Sequence, residues 1–139
     1  MIQQISAFLE NKAGELSKIT KVLTTNDVNI RAINIAEAKE YGVIRFIVDD
    51  YQKAADALVD AGVVVSTTKV AAVKVPNVPG GLNLVLEVIA REKIDIEYMY
   101  SMLKKDHSQA YMVFKVADVD RFNEIMVKSG LNIAEEIDS

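Results

Sequence analysis

Two short loops carry the residues of this chain that are best suited to binding a small charged ligand. Residues 11–16 read Asn-Lys-Ala-Gly-Glu-Leu, and residues 77–82 read Asn-Val-Pro-Gly-Gly-Leu. Each loop leads from a strand-like segment into a helix-like one, so its N–H groups lie at the positive end of a helix, where a carboxylate or phosphate binds. Glycine lets the backbone approach a ligand closely, and asparagine both donates and accepts hydrogen bonds. The loops therefore predict two sites for a small anion.

A second pair of polar residues recurs at the same spacing. The loops lie 66 positions apart, and so do the segments Val28-Asn29-Ile30 and Ile94-Asp95-Ile96. Further along the chain, residues 61–63 match residues 129–131, which lie 68 positions later. The second copy therefore has two extra residues, which are expected in one hairpin. One loop alone would be interpreted as a turn and a helix cap. Because turn chemistry does not require Asn29 or Asp95 in a distant strand, the repetition predicts a duplicated binding module.

The apolar pattern predicts the same order of elements in both halves: strand, helix, strand, strand, helix, strand. The predicted strands are residues 4–9, 28–36, 41–48, a strand from 63, 70–75, 94–103, 111–116 and 131–137. Each half then forms a four-stranded antiparallel sheet with two helices on one face, the ferredoxin-like βαββαβ fold of the α+β class. Residues 63–75 contain no glycine or proline. This predicts two domains, 1–68 and 69–139, held rigidly by nearly continuous strands.

Composition limits the classes of partner. Hydrophobic residues make up 50% and charged residues 26% of the chain, as in ordinary soluble proteins. The net charge of −4 argues against nucleic acid, because phosphate binding needs a basic face. No apolar run reaches the roughly 20 residues of a membrane span, and the start lacks a signal-peptide pattern. The absence of cysteine excludes thiolate chemistry and is consistent with a cytoplasmic protein.

Other polar residues are assigned to structural roles. His107, the only histidine, is interpreted as an exposed turn residue, since a catalytic triad needs groups that converge from separate elements. Asp49 and Asp50, and Asp118 and Asp120, are expected to cap helices. Neither loop contains the arginine that a phosphate-hydrolysing enzyme on this fold would need. The chain is therefore predicted not to be an enzyme and to use no metal or cofactor.

Aromatic and methionine side chains concentrate in the second hairpin. Because opposite faces of a strand cannot both lie beneath one helical layer, some of them are expected to meet another subunit or to line a ligand pocket. The residues concerned are Tyr98, Met99, Tyr100, Met102, Tyr111 and Met112.

The chain resembles the ACT domain family, the small-molecule-binding regulatory modules of amino-acid metabolism, over essentially its full length as two tandem units. The family pattern has an Asn-x-Pro-Gly-x-Leu loop and a Val-Asn-Ile segment that opens the second strand. Residues 77–82 and 28–30 match it closely, residues 11–16 lack the proline, and residues 94–96 have aspartate in place of asparagine.

In amino-acid-binding members of that family, the loop asparagine and the strand asparagine hold the ligand across an interface between two ACT units. The resemblance implies those roles for Asn11 and Asn29, and for Asn77 and Asp95. Leu9 and Val75 occupy the position at which some members carry a further polar ligand-binding residue. The full set of expected ligand-binding residues is Asn11, Lys12, Ala13, Gly14, Glu15, Leu16, Asn29, Ile30, Asn77, Val78, Pro79, Gly80, Gly81, Leu82, Asp95 and Ile96.

The resemblance implies a non-catalytic regulatory protein of amino-acid metabolism that binds a free amino acid or a similar small carboxylate. The alternative is an interaction subunit of a separate metabolic enzyme, with vestigial ligand sites. Because each half is small and would expose strand edges, a homodimer is also expected.

Overall fold

The computed structural model of the chain describes residues 1–36, 39–103 and 109–136. This described part of the chain forms seven strands and four helices. The strands are β1 (Ile2–Glu10), β2 (Ile30–Ala36), β3 (Tyr41–Val48), β4 (Val65–Pro76), β5 (Tyr98–Met102), β6 (Gln109–Lys115) and β7 (Ile133–Ala134). The helices are α1 (Glu15–Thr25), α2 (Tyr51–Asp60), α3 (Gly81–Arg91) and α4 (Val119–Lys128). The chain divides into an amino-terminal unit, Gln3–Thr68, and a carboxy-terminal unit, which begins at Lys69 and includes Met1 and Ile2.

In the amino-terminal unit, β3 lies between β1 and β2 and pairs antiparallel with both. The N–H of Phe8 donates to the C=O of Val64, so the residues that lead into β4 run beside β1. One face of this sheet supplies Ala7, Ile44 and Phe46 to a buried core. The buried residues of α1 and α2 belong to the same core, so both helices cover that face.

The carboxy-terminal unit has the same arrangement. Strand β6 lies between β4 and β5, and β7 also pairs with β4, in each case antiparallel. Val73 and Phe114 form a core with the buried side chains of α3 and α4, and the rings of Phe114 and Phe122 lie 5.4 Å apart. The predicted α+β fold, with antiparallel sheets and helices on one face of each ferredoxin-like half, is confirmed.

All four helices end in the same hydrogen-bonded turn. At the end of α1, the N–H of Asp27 donates to the C=O of Thr24 at 3.1 Å, and that of Val28 donates to the C=O of Leu23 at 2.9 Å. Corresponding pairs of bonds close α2, α3 and α4. The turn requires a left-handed residue, and φ is 55° at Asp27 and at its counterpart Lys93.

Several predicted strand bounds are wrong. Strand β2 begins at Ile30 rather than residue 28, and β5 at Tyr98 rather than residue 94, because the residues after α1 and α3 first close the helix ends. The two strands predicted from residue 63 and at 70–75 are one strand of 12 residues, since no breaker interrupts the β-branched run. Strand β7 has 2 residues where 131–137 was predicted, and residue 137 lies outside the described part. The domain boundaries and their rigid packing stay predictions.

Candidate functional site

The amino-terminal loop is shaped by its own backbone. The N–H of Lys12 donates to the C=O of Glu10 at 2.9 Å, and the N–H of Glu15 donates to the C=O of Lys12 at 3.2 Å. Gly14 is the N-cap residue of α1 and has φ of 89°. A residue with a side chain would be strained in this left-handed conformation, which explains why glycine occupies the position.

The carboxy-terminal loop repeats this geometry bond for bond. The N–H of Val78 donates to the C=O of Pro76 at 2.9 Å, and the N–H of Gly81 donates to the C=O of Val78 at 3.0 Å. Gly80 has φ of 85° and caps α3. The repetition seen in the sequence is therefore also a repetition of local structure.

The helices that follow the two loops begin differently from the other two. No side-chain cap bonds to the first turn of α1 at Gly14 or of α3 at Gly80. In contrast, the carboxylate of Asp50 accepts from the N–H of Lys53 at the start of α2, and Asp118 caps α4 in the same way. The N–H of the first residue of α1 and of α3 is already bonded within its loop. Since the next N–H groups of a helix start also lack a partner within the helix, those groups can bind an external anion.

The expected ligand-binding residues are mostly exposed. The exposed residues are Asn11 to Gly14, Asn29, Asn77 to Gly80, Leu82 and Asp95. The half-buried residues are Glu15, Leu16, Ile30 and Ile96, and Gly81 is buried.

Asn11 anchors the amino-terminal loop to the turn before β3. Its side-chain Nδ2 donates to the C=O of Lys39 at 3.0 Å, and its backbone N–H donates to the C=O of Glu40 at 2.8 Å. This side chain therefore has a structural contact beside any role in binding.

Ion pairs neutralise the charged side chains around the same loop. Nζ of Lys12 lies 2.8 Å from Oε2 of Glu10, and Nζ of Lys18 lies 3.0 Å from Oε1 of Glu15. Hydrogen bonding and charge attraction between Lys12 and Glu10 lower the pKa of Glu10 and raise the pKa of Lys12. Both members of that pair stay charged at neutral pH.

A cavity of about 110 Å³ lies beside the loop. Its lining residues are Leu9, Asn11, Lys12, Leu16, Ile35, Gly42 and Ile44. Sequence reasoning missed Ile35, Gly42 and Ile44 because only the strand register brings them together: Ile35 lies opposite Ile44 in β2 and β3, and Leu9 lies opposite Gly42 in β1 and β3.

Asn29 lies at the other end of the amino-terminal unit from Asn11. The N–H of Asn29 donates to Oδ1 of Asp49 at 3.0 Å, just after β3, whereas Asn11 bonds to Lys39 and Glu40, just before β3. Eight residues of β3 separate these ends, and a strand advances roughly 3.3 Å per residue. One unit alone therefore cannot bring Asn11 and Asn29 to the same small ligand.

Asp95 is likewise remote from its own loop. Asn77 follows the end of β4, and that end is paired with the beginning of β6. Asp95 lies near the other end of β6, because the N–H of Glu97 donates to the C=O of Lys115. Asp95 lines a cavity of about 220 Å³ whose other polar residues include Lys93, Asp118 and Arg121.

The acidic pairs divide between two roles. Asp50 and Asp118 cap helices, as predicted. Asp49 instead accepts the N–H of Asn29, and Asp120 forms an ion pair with Lys69. The expectation that all four aspartates cap helices is therefore wrong for Asp49. Asp120 is not the capping residue of α4, but it lies in the first turn of that helix, where its charge is favourable. His107 lies outside the described residues.

The hairpin aromatics and methionines divide between the faces of the sheet. Met99 and Met112 pack against the core beneath α3 and α4. Tyr100, Met102 and Tyr111 point away from that core, yet they are buried within the single chain. The expectation that some of the hairpin side chains meet another subunit or line a ligand pocket stays a prediction.

Residues 1–36, 39–103 and 109–136 contain neither a metal-ligand cluster nor a helix that could span a membrane. Nowhere in these ranges do three His, Cys, Asp or Glu side chains cluster closely enough to hold a metal ion. In the same ranges, every helix is too short or too polar to span a membrane.

Comparison with known proteins identifies the family. The family model described as an ACT domain pair matches residues 1–139. Protein BT0572 from Bacteroides thetaiotaomicron has a crystal structure that is similar at a TM-score of 0.88 and 37% identity, covering 96% of this chain and 91% of that one. No curated protein matches this chain.

More distant structures share the fold. The ligand-free regulatory subunit of aspartate kinase from Thermus thermophilus is 16% identical, with a TM-score of 0.68 and 92% of each chain covered. The corresponding subunit from Thermus flavus is 14% identical, with a TM-score of 0.61 and the same coverage of 92%. The full-length family match, the 37% identical relative and the repeated loop geometry lead to one conclusion: this chain belongs to the family of ACT domain pairs.

Proposed function

We propose that this chain is a non-catalytic regulatory protein that binds a free amino acid, or a similar small carboxylate, at the starts of α1 and α3. The observation that carries the proposal is the contrast between helix starts: Gly14 and Gly80 leave theirs without a side-chain cap, whereas Asp50 and Asp118 cap the others. A ligand carboxylate supplies the missing acceptor, because the first N–H groups and the helix dipole both favour an anion there.

The amino group of the ligand is expected to be held by a different unit. Because Asn11 and Asn29 lie at opposite ends of β3, the strand residue must come from a partner unit if both contact one ligand. Asn29 or Asp95 then accepts from the ammonium group. Asp95 carries a charge, so a site that includes it binds an ammonium group more strongly.

A regulatory role follows from family membership together with this geometry. The two Thermus proteins with the same fold are regulatory subunits of aspartate kinase. We propose that this chain acts in the same general manner, as a cytoplasmic homodimer that responds to an amino acid and acts on a metabolic enzyme.

The alternative is an interaction subunit whose ligand sites are vestigial. Two observations favour it: the amide of Asn11 already bonds to Lys39, and the charge of Lys12 is already paired with Glu10. In that case the protein contacts its partner enzyme without any small ligand.

A thermal-shift screen of the standard amino acids separates the two functions. A ligand that binds only the folded state raises the melting temperature in proportion to the logarithm of its concentration above Kd. We expect at least one amino acid to do so at millimolar concentration. If none does, the interaction-subunit function replaces the proposal.

A further inference from the structure

The cavity beside the amino-terminal loop has an apolar wall. Leu9 and Ile44 come from neighbouring strands of the sheet, Leu16 comes from the first turn of α1, and Ile35 comes from β2. Gly42 lies opposite Leu9 across the β1–β3 pair and presents no side chain, which leaves the space open.

The polar groups of this cavity belong to the loop. Asn11 and Lys12 are its polar lining residues. Nζ of Lys12 is already paired with Glu10 at 2.8 Å, so the lining offers no unpaired charge to a ligand side chain. A charged ligand side chain placed against the aliphatic wall would lose its hydration without a partner.

The volume limits the size of the occupant. An engineered apolar cavity of about 150 Å³ binds benzene. The cavity here, at about 110 Å³, is smaller and accommodates an aliphatic group of about three or four carbon atoms.

The cavity also lies next to the helix start that we assign to the carboxylate. Leu16 is the second residue of α1 and Gly14 is its cap, so one small molecule can contact both features. We infer that the amino-terminal site selects an amino acid with a short aliphatic side chain, such as valine or leucine. The carboxylate binds at the start of α1 and the side chain fills the cavity. This inference rests on the proposed function and adds to it the chemical class of the ligand.

Calorimetric titration of the full chain with glycine, valine, leucine, phenylalanine, lysine and aspartate tests the selectivity. Valine or leucine should bind at least about tenfold more tightly than glycine, because an apolar pocket discriminates by this factor or more for each methylene. Phenylalanine should bind more weakly because its ring exceeds the cavity. Lysine and aspartate should also bind more weakly, because their charges would be buried.

Ile35→Ala and Ile33→Ala form a matched pair of variants. Both isoleucines lie in β2, and they are 49% and 44% exposed, so alanine should preserve the fold at either position. Ile35 lines the cavity and Ile33 does not. Ile35→Ala should weaken valine binding by about fivefold or more while glycine binding is unchanged, and Ile33→Ala should change neither.

Methyl NMR locates the ligand. In protein labelled at the isoleucine δ1 methyls, valine should shift the signals of Ile35 and Ile44 more than that of Ile33. Glycine binding as tightly as valine, a preference for lysine or aspartate, or equal losses in Ile33→Ala and Ile35→Ala would each overturn the inference while leaving amino-acid binding intact. Binding of no amino acid at all would overturn the proposed function and this inference with it.

Discussion

At the scale of single residues, the amino-terminal loop contains one side chain that hydrogen-bonds to the backbone and one lysine in an ion pair. Asn11 donates to the C=O of Lys39, and Lys12 is paired with Glu10. The anchor holds the loop against the turn before β3. Because Lys12 has a counter-charge beside it, we expect the backbone N–H groups rather than Lys12 to be the principal donors for the proposed ligand carboxylate.

The Glu10–Lys12 pair predicts a change in titration. The side-chain hydrogen bond from Lys12 lowers the pKa of Glu10, so Lys12→Gln should raise that pKa towards its ordinary value in an NMR titration. Because the folded-state pKa is lowered, the pair stabilises the fold above the unfolded-state pKa, and this contribution is lost as the pH falls through the folded-state pKa. The effect should diminish at high salt, because both side chains are exposed to solvent.

Lys21→Gln is the control for this titration. Lys21 is exposed on α1 and is not among the groups that shift the pKa of Glu10. An equal rise in the pKa of Glu10 in both variants would show that the general charge, and not the paired lysine, is responsible.

At the scale of elements, the four helices end in the same hydrogen-bonded turn but begin in two different ways. Caps at Asp50 and Asp118 complete α2 and α4, whereas α1 and α3 begin at glycine. This division follows the duplication, since each half contains one helix start of each kind. It is the feature from which we assign binding to α1 and α3.

Removing an aspartate should lower the free energy of unfolding only where its carboxylate caps a helix. Asp50→Ala should lower the free energy of unfolding by about 1 kcal/mol, because the N–H of Lys53 loses its acceptor at the start of α2. Urea unfolding measures the change. Asp60→Ala removes the same charge from the last residue of α2 and should leave stability unchanged or slightly higher, because an acidic residue is unfavourable at a helix end. Equal losses in the two variants would contradict the capping account.

Adjacent glycines in the carboxy-terminal loop should differ in their tolerance of alanine. A Cβ at Gly81 would overlap the C=O oxygen of Pro76, whereas one at Gly80 would meet no atom within 4 Å. Gly80→Ala should cost about 1–2 kcal/mol of unfolding free energy, since its φ is positive. Gly81→Ala should cost more, because backbone must move to relieve the overlap. A smaller loss for Gly81→Ala than for Gly80→Ala in urea unfolding would contradict this packing.

Most of the element order could be predicted from the sequence, but the cavity could not. Gly62 and Gly130 indicate where α2 and α4 end, and the alternating apolar residues indicate the strands. No glycine marks the left-handed position at Lys93, so the apolar pattern predicts too early a start for β5. The cavity depends on which residues of β1, β2 and β3 lie opposite one another, and periodicity along one segment does not specify pairing between segments.

At the scale of the whole molecule, each unit is small and has an exposed strand edge. Strand β2 pairs only with β3 in the part of the chain that the structure describes, and Ile33 and Ile35 are partly exposed along it. Units of this size bury a limited fraction of their surface, and open edges favour association with another strand. These features, together with the separation of Asn11 from Asn29, favour a binding site that is completed by a partner unit.

Sedimentation velocity tests the predicted assembly. At micromolar concentration we expect a homodimer that contains four ACT units. A monomer across the micromolar range, in the presence and absence of an amino acid that raises the melting temperature, would contradict the prediction.

The central claim, that the repeated loops and strand residues bind an amino acid, is tested most directly by calorimetry on the wild type and on Asn11→Ala and Asp95→Ala. The wild type should bind at least one amino acid at millimolar concentration or below. Because a hydrogen bond to a charged group contributes about 1.5–3 kcal/mol, Asp95→Ala should weaken binding at its site by roughly ten- to a hundredfold with the fold retained. Asn11→Ala should weaken binding at the amino-terminal site and also removes the bond to the C=O of Lys39. Absence of amino-acid binding to the wild type, or unchanged affinity in both variants, would contradict the account.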